Sequence, residues 1–144
     1  MNKWFICLIL CSLVSQKPLI YDFNARIISY NNYIIIKIDG QGEKQIFGIN
    51  YVANSYPSPD AIEINGIKQN SNNDYSYCLN ETENVVKLEW NNKIDNCNCM
   101  FCYCSEIYEI DLSNFNSSLV SQTYMMFYGC TLLTSLNLTN FNTS

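Results

Sequence analysis

Residues 100–118 read MFCYCSEIYEIDLSNFNSS, and residues 126–144 read MFYGCTLLTSLNLTNFNTS. Each matched position lies 26 residues from its counterpart, and the match includes Met, Phe, Cys, three aliphatic positions and the closing Asn-Phe-Asn. Agreement at so many positions indicates an internal repeat, which is the feature to look for first in any sequence. A degenerate earlier copy begins at residues 86–90 (VKLEW).

The repeat has the spacing of a leucine-rich pattern. The matched aliphatic side chains are Ile107, Ile110 and Leu112 in the first copy, and Leu133, Leu136 and Leu138 in the second. A two-residue step puts side chains on one face of a strand. Residues 114–118 predict a polar turn, residues 119–127 have helical spacing, and Gly129 suits a left-handed helix cap. Each copy is therefore predicted to form a coil of strand, turn, short helix and return.

The pattern Met-Phe-x-Gly-Cys-x-x-Leu-x-x-Leu-x-Leu-x-Asn-Phe-Asn-Thr-Ser resembles the 26-residue surface-protein repeat of BspA-like leucine-rich repeat proteins. Residues 125–144 match closely, residues 99–118 match moderately and residues 85–98 are degenerate. The resemblance implies a secreted or cell-surface protein that adheres or binds and does not catalyse a reaction. Cys102-Tyr103-Cys104 departs from the aromatic-Gly-Cys of the family, so a looser helix end is expected there.

One such coil does not bury enough apolar surface to be stable alone, because ordering its backbone costs about 1–2 kcal/mol per residue. Solenoids usually need at least about three coils with atypical caps. We therefore expect either a piece of a longer array or a chain whose open solenoid edge is covered by a partner. Self-association through that edge is one form of such cover.

The middle of the chain consists of short apolar runs separated by turn residues and does not follow the repeat. Strands are predicted at residues 33–39, 45–52, 61–64 and 85–90, and Asn65-Gly66 between apolar runs is a strong hairpin signal. The predicted fold class is α+β: a small antiparallel β-rich N-terminal domain followed by a short leucine-rich-repeat-like solenoid. The predicted domains are a signal peptide at 1–16, the β-rich cap at 20–84 and the repeats at 85–144. Irregular repeat coils in place of the cap are the alternative.

The N-terminus indicates secretion. Lys3 precedes an apolar run from Trp4 to Val14, and Lys17-Pro18 ends the pattern. A short positive segment before about 7–15 apolar residues is typical of a signal peptide, and the run is too short for a membrane span. A lipid-anchored cysteine at Cys11 and a buried N-terminal element are the alternatives. The predicted location is secreted or cell surface, with no membrane span after signal removal.

Composition narrows the classes of function. The 144 residues carry a net charge of −5 and a sequence pI of about 4.5, so no basic surface for nucleic acid is expected. The chain has no histidine, which excludes His-based triads and His metal ligands. No cofactor, no metal and no catalytic residue is predicted.

Eight cysteines are present, of which Cys7 and Cys11 lie in the predicted signal. An even number in a secreted chain favours disulfides, and the candidates are Cys78, Cys97, Cys99 and Cys102. Cys104 and Cys130 share a repeat position, so they are interpreted as small core residues. Zinc bound by the cysteine cluster at residues 97–104 and a redox pair at Cys99 and Cys102 are weaker alternatives.

The outward side chains next to the leucines form a candidate ligand-binding row. Its members are Glu109, Asp111 and Ser113 in the first coil, and Ser135, Asn137 and Thr139 in the second. Solenoids commonly bind through such a strand-lined surface, although a plain solvated face has the same pattern. Glycosylation sequons occur at Asn80, Asn116, Asn137 and Asn142, and a glycan on Asn137 would block the row.

Three functions follow from these observations. The first is a secreted or surface protein that recognises an extracellular protein or glycan through the strand-lined face of its repeats, without catalysis. The second is a structural coat or spacer protein. The third, and weakest, is a glycosidase that uses Glu109 and Asp111 as its acid pair, which would require a cleft with carboxyls about 5–9.5 Å apart.

Overall fold

The computed structural model describes residues 32–48, 58–70 and 75–142. These residues form eight strands and contain no helix. The strands are β1 (Tyr33–Asp39), β2 (Gly42–Gln45), β3 (Ala61–Ile64), β4 (Ile67–Lys68), β5 (Ser76–Leu79), β6 (Glu83–Glu89), β7 (Ile107–Asp111) and β8 (Ser135–Asn137). The predicted α+β class with a leucine-rich-repeat-like solenoid is therefore wrong, and the described part is a mixed β-sheet fold.

Six of the strands form one sheet in the order β4-β3-β6-β1-β7-β8. All neighbours are antiparallel except β7 and β8, which are parallel. The sheet joins strands from both sides of the predicted boundary at residues 84 and 85, and that boundary falls inside β6. The repeat therefore adds strands to the sheet formed by the preceding segment.

β1 lies at the centre of this sheet because its sequence alternates. Ile34, Ile36 and Ile38 are fully buried, whereas the residues between them are half-buried on the opposite face. Successive side chains of a strand point to opposite faces, so one face of β1 packs on the core. β1 pairs with β6 along its whole length and with β7 through a register shift between Lys37 and Ile38.

Several local predictions are confirmed. The strand at residues 33–39 and the strand at 61–64 have the predicted bounds. Asn65 and Gly66 both have positive φ, at 51° and 77°, which is the conformation that favours Asn-Gly in a tight hairpin. The strand predicted at 45–52 is wrong: β2 instead covers Gly42–Gln45 and pairs with β5, and residues 49–52 lie outside the described residues.

The second sheet, β2 with β5, packs against the first copy of the repeat. The Gly48 N–H donates to the Met100 carbonyl at 2.7 Å, and the Gln45 amide donates to the Cys102 carbonyl at 2.9 Å. A Cβ on Gly48 would collide with the carbonyl oxygen of Cys99. Glycine is required here because two backbone segments approach closely.

The 26-residue spacing predicted from the sequence is the register of β7 and β8. Glu109 is paired with Ser135, and Asp111 with Asn137. The same offset relates two stacked aromatic pairs, Phe101 with Phe127 and Phe115 with Phe141. The two copies of the repeat therefore lie side by side, with like residues in contact.

The short helix predicted at residues 119–127 is wrong, and turns occupy this segment. The reason is a competition for a backbone carbonyl. In a helix, the Gln122 carbonyl would accept from the Met126 N–H, but here it accepts from the Cys97 N–H at 2.8 Å. Met125 also has a positive φ of 54°, which lies outside the range of a right-handed helix.

The position predicted as a helix cap keeps its left-handed backbone without a helix. Gly129 has φ 78°, and Tyr103, at the same repeat position, has φ 60°. A tyrosine in this conformation is strained. Its ring contacts that of Tyr128 edge to face, with centroids 5.3 Å apart. The missing glycine therefore changes the side chain at this turn and leaves its backbone conformation unchanged.

The core lies beneath one face of the six-stranded sheet. Its fully buried members include Ile36, Leu88, Phe101, Ile107 and Ile110. Trp90 is 3% exposed and meets Phe115 edge to face at 5.8 Å between centroids. Residues from the antiparallel strands and from the first repeat copy share this core, so they stabilise one another.

Candidate functional site

The predicted ligand-binding row is partly assembled. The parallel pairing of β7 with β8 sets Glu109 beside Ser135 and Asp111 beside Asn137 on one face of the sheet. Ser113 and Thr139 follow the ends of these strands and lie in turns. The four strand residues thus share a surface, whereas the two turn residues serve local structure.

Two members of the row close equivalent turns. The Asp111 Oδ1 accepts a hydrogen bond from the Ser113 N–H at 2.8 Å. One repeat later, the Asn137 Oδ1 accepts from the Thr139 N–H at 3.1 Å. Short Asp and Asn side chains commonly close turns in this way. Each of these side chains therefore has a structural role and retains limited capacity for a ligand.

The face that carries the row extends beyond the repeats, and we call it the open sheet face. Its side chains are half-buried or exposed, and the opposite face covers the core. It carries Tyr33, Ile35 and Lys37 from β1, Ala61 and Glu63 from β3, the exposed Val85 together with Lys87 and Glu89 from β6, Glu109 and Asp111 from β7, and Ser135 and Asn137 from β8.

Ion pairs organise the centre of the open sheet face. The Lys37 Nζ donates to the Glu109 Oε2 at 2.9 Å, and this bond together with the charge of Glu109 raises the pKa of Lys37. On β6, the Lys87 Nζ lies 2.6 Å from the Glu89 Oε1 and 4.4 Å from the centroid of the Tyr33 ring. The hydrogen bond to Glu89 raises the pKa of Lys87. Both lysines are held in fixed positions as cations.

Sequence reasoning missed Tyr33, Lys37 and Lys87, which the structure brings to this face. Their alternation with buried isoleucine, valine and leucine is visible in YIIIKID and ENVVKLE. The missing information is the pairing of β1 with β7, which joins residues 69 to 76 positions apart. Local patterns identify strands but do not identify such partners.

The glycosidase hypothesis places Glu109 and Asp111 as an acid pair. They are alternate residues of β7 on one face, and such residues lie about 7 Å apart along a strand. Glu109 is ion-paired with Lys37, whereas a general acid must hold a proton. Both side chains are half-buried on the open sheet face.

The predicted disulfide candidates differ in their bonding state. Cys97, Cys99 and Cys102 are free thiols, as are Cys104 and Cys130, and Cys78 is disulfide-bonded. Burial, followed by the charge of Asp95, raises the pKa of Cys97 to about 12, and burial, followed by the neighbouring Cys99, raises the pKa of Cys102 to about 12. In the described ranges no group of three or more His, Cys, Asp or Glu side chains is arranged to hold a metal ion.

Buried thiols of the repeat make hydrogen bonds between its two copies. The Cys102 Sγ donates to the Met125 carbonyl, and the Cys130 Sγ donates to the Phe101 carbonyl, both at 3.1 Å. Cys104 is fully buried in the core, as predicted, and Cys130 packs against it half-buried. These cysteines hold the two copies together as small apolar side chains.

The sequons differ in their surroundings. Asn80 is exposed between β5 and β6. Asn116 is half-buried, and its N–H donates to the Asn32 Oδ1 at 2.9 Å. Asn137 lies within β8, and Asn142 is exposed, with the rest of its sequon outside the described residues. Asn80 is therefore the most accessible acceptor that the structure describes in full.

No family model, no curated protein and no solved structure matches this chain. The resemblance to BspA-like proteins stays a prediction that rests on the residues quoted for it. The solenoid that it implies is wrong for the described residues. The predicted signal at 1–16 and the alternative at Cys11 lie outside the described residues. Among the residues that are described, no helix is long and apolar enough to cross a membrane.

Proposed function

We propose that the protein is a non-catalytic recognition protein of the cell exterior that binds a protein or glycan through the open sheet face. The observation that carries this proposal is the row of polar side chains Lys37, Glu109 and Ser135, which runs from β1 across β7 to β8. A rigid sheet holds these side chains in place, so little conformational entropy is lost on binding.

The chemistry of the open sheet face suits a polar ligand. Lys87 lies over the Tyr33 ring, and aromatic residues with an adjacent cation are common in recognition surfaces. Glu109 and Asp111 add carboxylate acceptors, and Ser135 and Asn137 add uncharged hydrogen-bonding groups. Protein surfaces and sugar hydroxyls both present the donors that such a set accepts.

The N-terminal sequence supports the location. Its positive segment and apolar run are typical of a signal peptide, and the sequons suit a secreted protein. N-terminal sequencing of the product exported by the native host tests this part. We expect a mature chain that begins near residue 17, whereas an intracellular product that retains Met1 would contradict it.

Binding is tested with the full chain on immobilised glycans and on intact surfaces of neighbouring cells. The informative variant is Glu109→Ala with Asp111→Ala, and we expect it to lose the ligand. The control is Glu43→Ala with Glu81→Ala, which removes the same charge from exposed positions off the six-stranded sheet and should keep full binding. Equal binding by both variants would contradict this use of the face. A chain that binds no ligand would favour the coat or spacer function.

A further inference from the structure

Among the described residues, β8 is an edge strand with a neighbour on one side. It is last in the order of the six-stranded sheet and is hydrogen-bonded to β7 on one side. The other side of an edge strand presents unpaired backbone donors and acceptors, which are a template for a further strand.

Equivalent apolar residues in the two copies of the repeat differ in their exposure to solvent. Ile110 is paired with Leu136, and the first is 0% exposed whereas the second is 39% exposed. Leu112 and Leu138 hold equivalent positions and are 0% and 41% exposed. Ile110 and Leu112 are buried because the second copy of the repeat covers them. The same apolar positions on the second copy have no equivalent layer in the described residues.

The β8 edge carries no charged residue and no proline. No Asp, Glu, Lys, Arg or Pro occurs in residues 112–144, and these are the residues with which natural edge strands avoid pairing. The opposite edge of the sheet differs, because β4 includes the exposed Lys68. Of the two edges of the described six-stranded sheet, β8 is therefore the one without a charged residue to oppose a further strand.

We propose that a second copy of this chain pairs with this edge, β8 against β8, antiparallel about a two-fold axis at Leu136. The distribution of charge supports a second copy as the occupant. The chain has a net charge of −5, and every charged residue lies at or before Asp111. Two copies can thus meet at β8 without placing like charges in contact, and the edge offers no charge to attract a partner of opposite sign.

A two-fold arrangement is self-complementary, because each copy contributes the same surface. Leu136 lies opposite Leu136 of the second copy, and Ser135 lies opposite Asn137. Pairing at this edge covers the exposed leucines and satisfies the outward backbone groups of β8. The inference does not depend on the proposed function, because dimerisation is measured without a ligand, although Ser135 and Asn137 belong to both surfaces.

The test is the mass of the full chain in solution, measured by sedimentation velocity over a range of concentrations. We expect a monomer–dimer equilibrium for the wild type. Leu136→Lys should raise the dimer Kd at least about 100-fold, because two lysines then meet at the axis. Val85→Lys is the control: Val85 is 46% exposed on β6, which has neighbours on both sides, and this variant should dimerise like the wild type.

A second measurement does not depend on the lysine variant. Directly opposite residues of antiparallel strands have Cβ atoms about 4.5–5.5 Å apart, close to the reach of a disulfide. Leu136→Cys should therefore give a covalent dimer on mild oxidation, and Val85→Cys should give no more than the wild type. A wild-type chain that stays monomeric at every soluble concentration would overturn the proposal. Equal dimerisation by both lysine variants, or oligomers without a dominant dimer, would overturn it as well.

Discussion

The rings of Phe101 and Phe127 are stacked, with centroids 6.1 Å apart and planes inclined by 4°. The two residues hold the same position in the two copies of the repeat. Phe101 is fully buried, and Phe127 covers it from the outer copy while half-buried itself. The contact between copies therefore consists of an inner ring and an outer ring in the same orientation.

The stacking predicts that alanine substitution of the two rings lowers stability by different amounts and that the two effects are not additive. Phe101→Ala should lower the free energy of unfolding by about 3–5 kcal/mol, and Phe127→Ala should cost less because its ring is half-buried. A double-mutant cycle by urea denaturation should give a coupling of about 0.5–1.5 kcal/mol. The pair Phe101 and Phe141 is the control and should be additive. Additive effects at Phe101 and Phe127 would contradict the stacking.

Ile36 tests whether the sheet unfolds as one unit. It is fully buried in β1 and paired with Val86 on β6 and Ile110 on β7. Ile36→Ala should cost about 2–5 kcal/mol, and Ile35→Ala, on the open sheet face, should cost less. By hydrogen exchange, amides of β6 and β7 should lose protection together. Loss confined to one of these strands would indicate two independent units.

Cys97 should make stability fall at high pH. Burial, followed by the charge of Asp95, raises its pKa from 9.0 to about 12. The unfolded chain releases this proton first, so the contribution is complete below about pH 9 and is lost as the pH rises towards 12. Cys97→Ala should flatten this decline when unfolding is followed by urea titration across the window. A decline of equal steepness in both proteins would contradict the assignment.

Asn84 should tolerate almost no change, because its buried amide joins three turns. It donates to the carbonyls of Gly40 and Glu81 at 3.1 and 2.8 Å, and its Oδ1 accepts from the Asn65 amide at 3.0 Å. Asn84→Asp should cost about 3 kcal/mol or more, since two carbonyls lose a donor at about 1–3 kcal/mol each.

The pH dependence of that variant distinguishes a buried charge from a general loss of packing. A carboxyl at position 84 would be desolvated, so its protonated form is favoured in the folded state. The penalty should shrink as the pH falls, as thermal unfolding at several pH values would reveal. Asn70→Asp, at an exposed position, is the control and should be neutral. A penalty at Asn84 that is independent of pH would argue against burial of the charge.

The sequence was sufficient for features set by neighbouring residues. The alternation in residues 33–39 and the Asn65-Gly66 turn predicted β1 and the hairpin, and the matched Phe residues predicted the 26-residue offset. Each depends on local chemistry or on self-similarity, both of which can be read directly from residue types.

The features that failed are set by distant partners. Helical spacing at residues 119–127 was outweighed because the Gln122 carbonyl, which a helix would pair with the Met126 N–H, accepts from the distant Cys97 N–H instead. The sequence predicted the β7 and β8 residues of the open sheet face but not those of β1 and β6, because Lys37 meets Glu109 across 72 positions. No local pattern reports which strand lies beside β1, so the α+β architecture was assigned in error.

The confinement of charge to residues up to Asp111 has a practical consequence for anyone who handles this protein. At an ionic strength of 0.15 M, charges more than about 8 Å apart are largely screened, so added salt weakens attraction at Lys37, Lys87 and Glu109. Contacts made by Leu136 and Leu138 gain nothing from low salt. A simple salt titration can therefore separate the two surfaces in a single sample, without mutation.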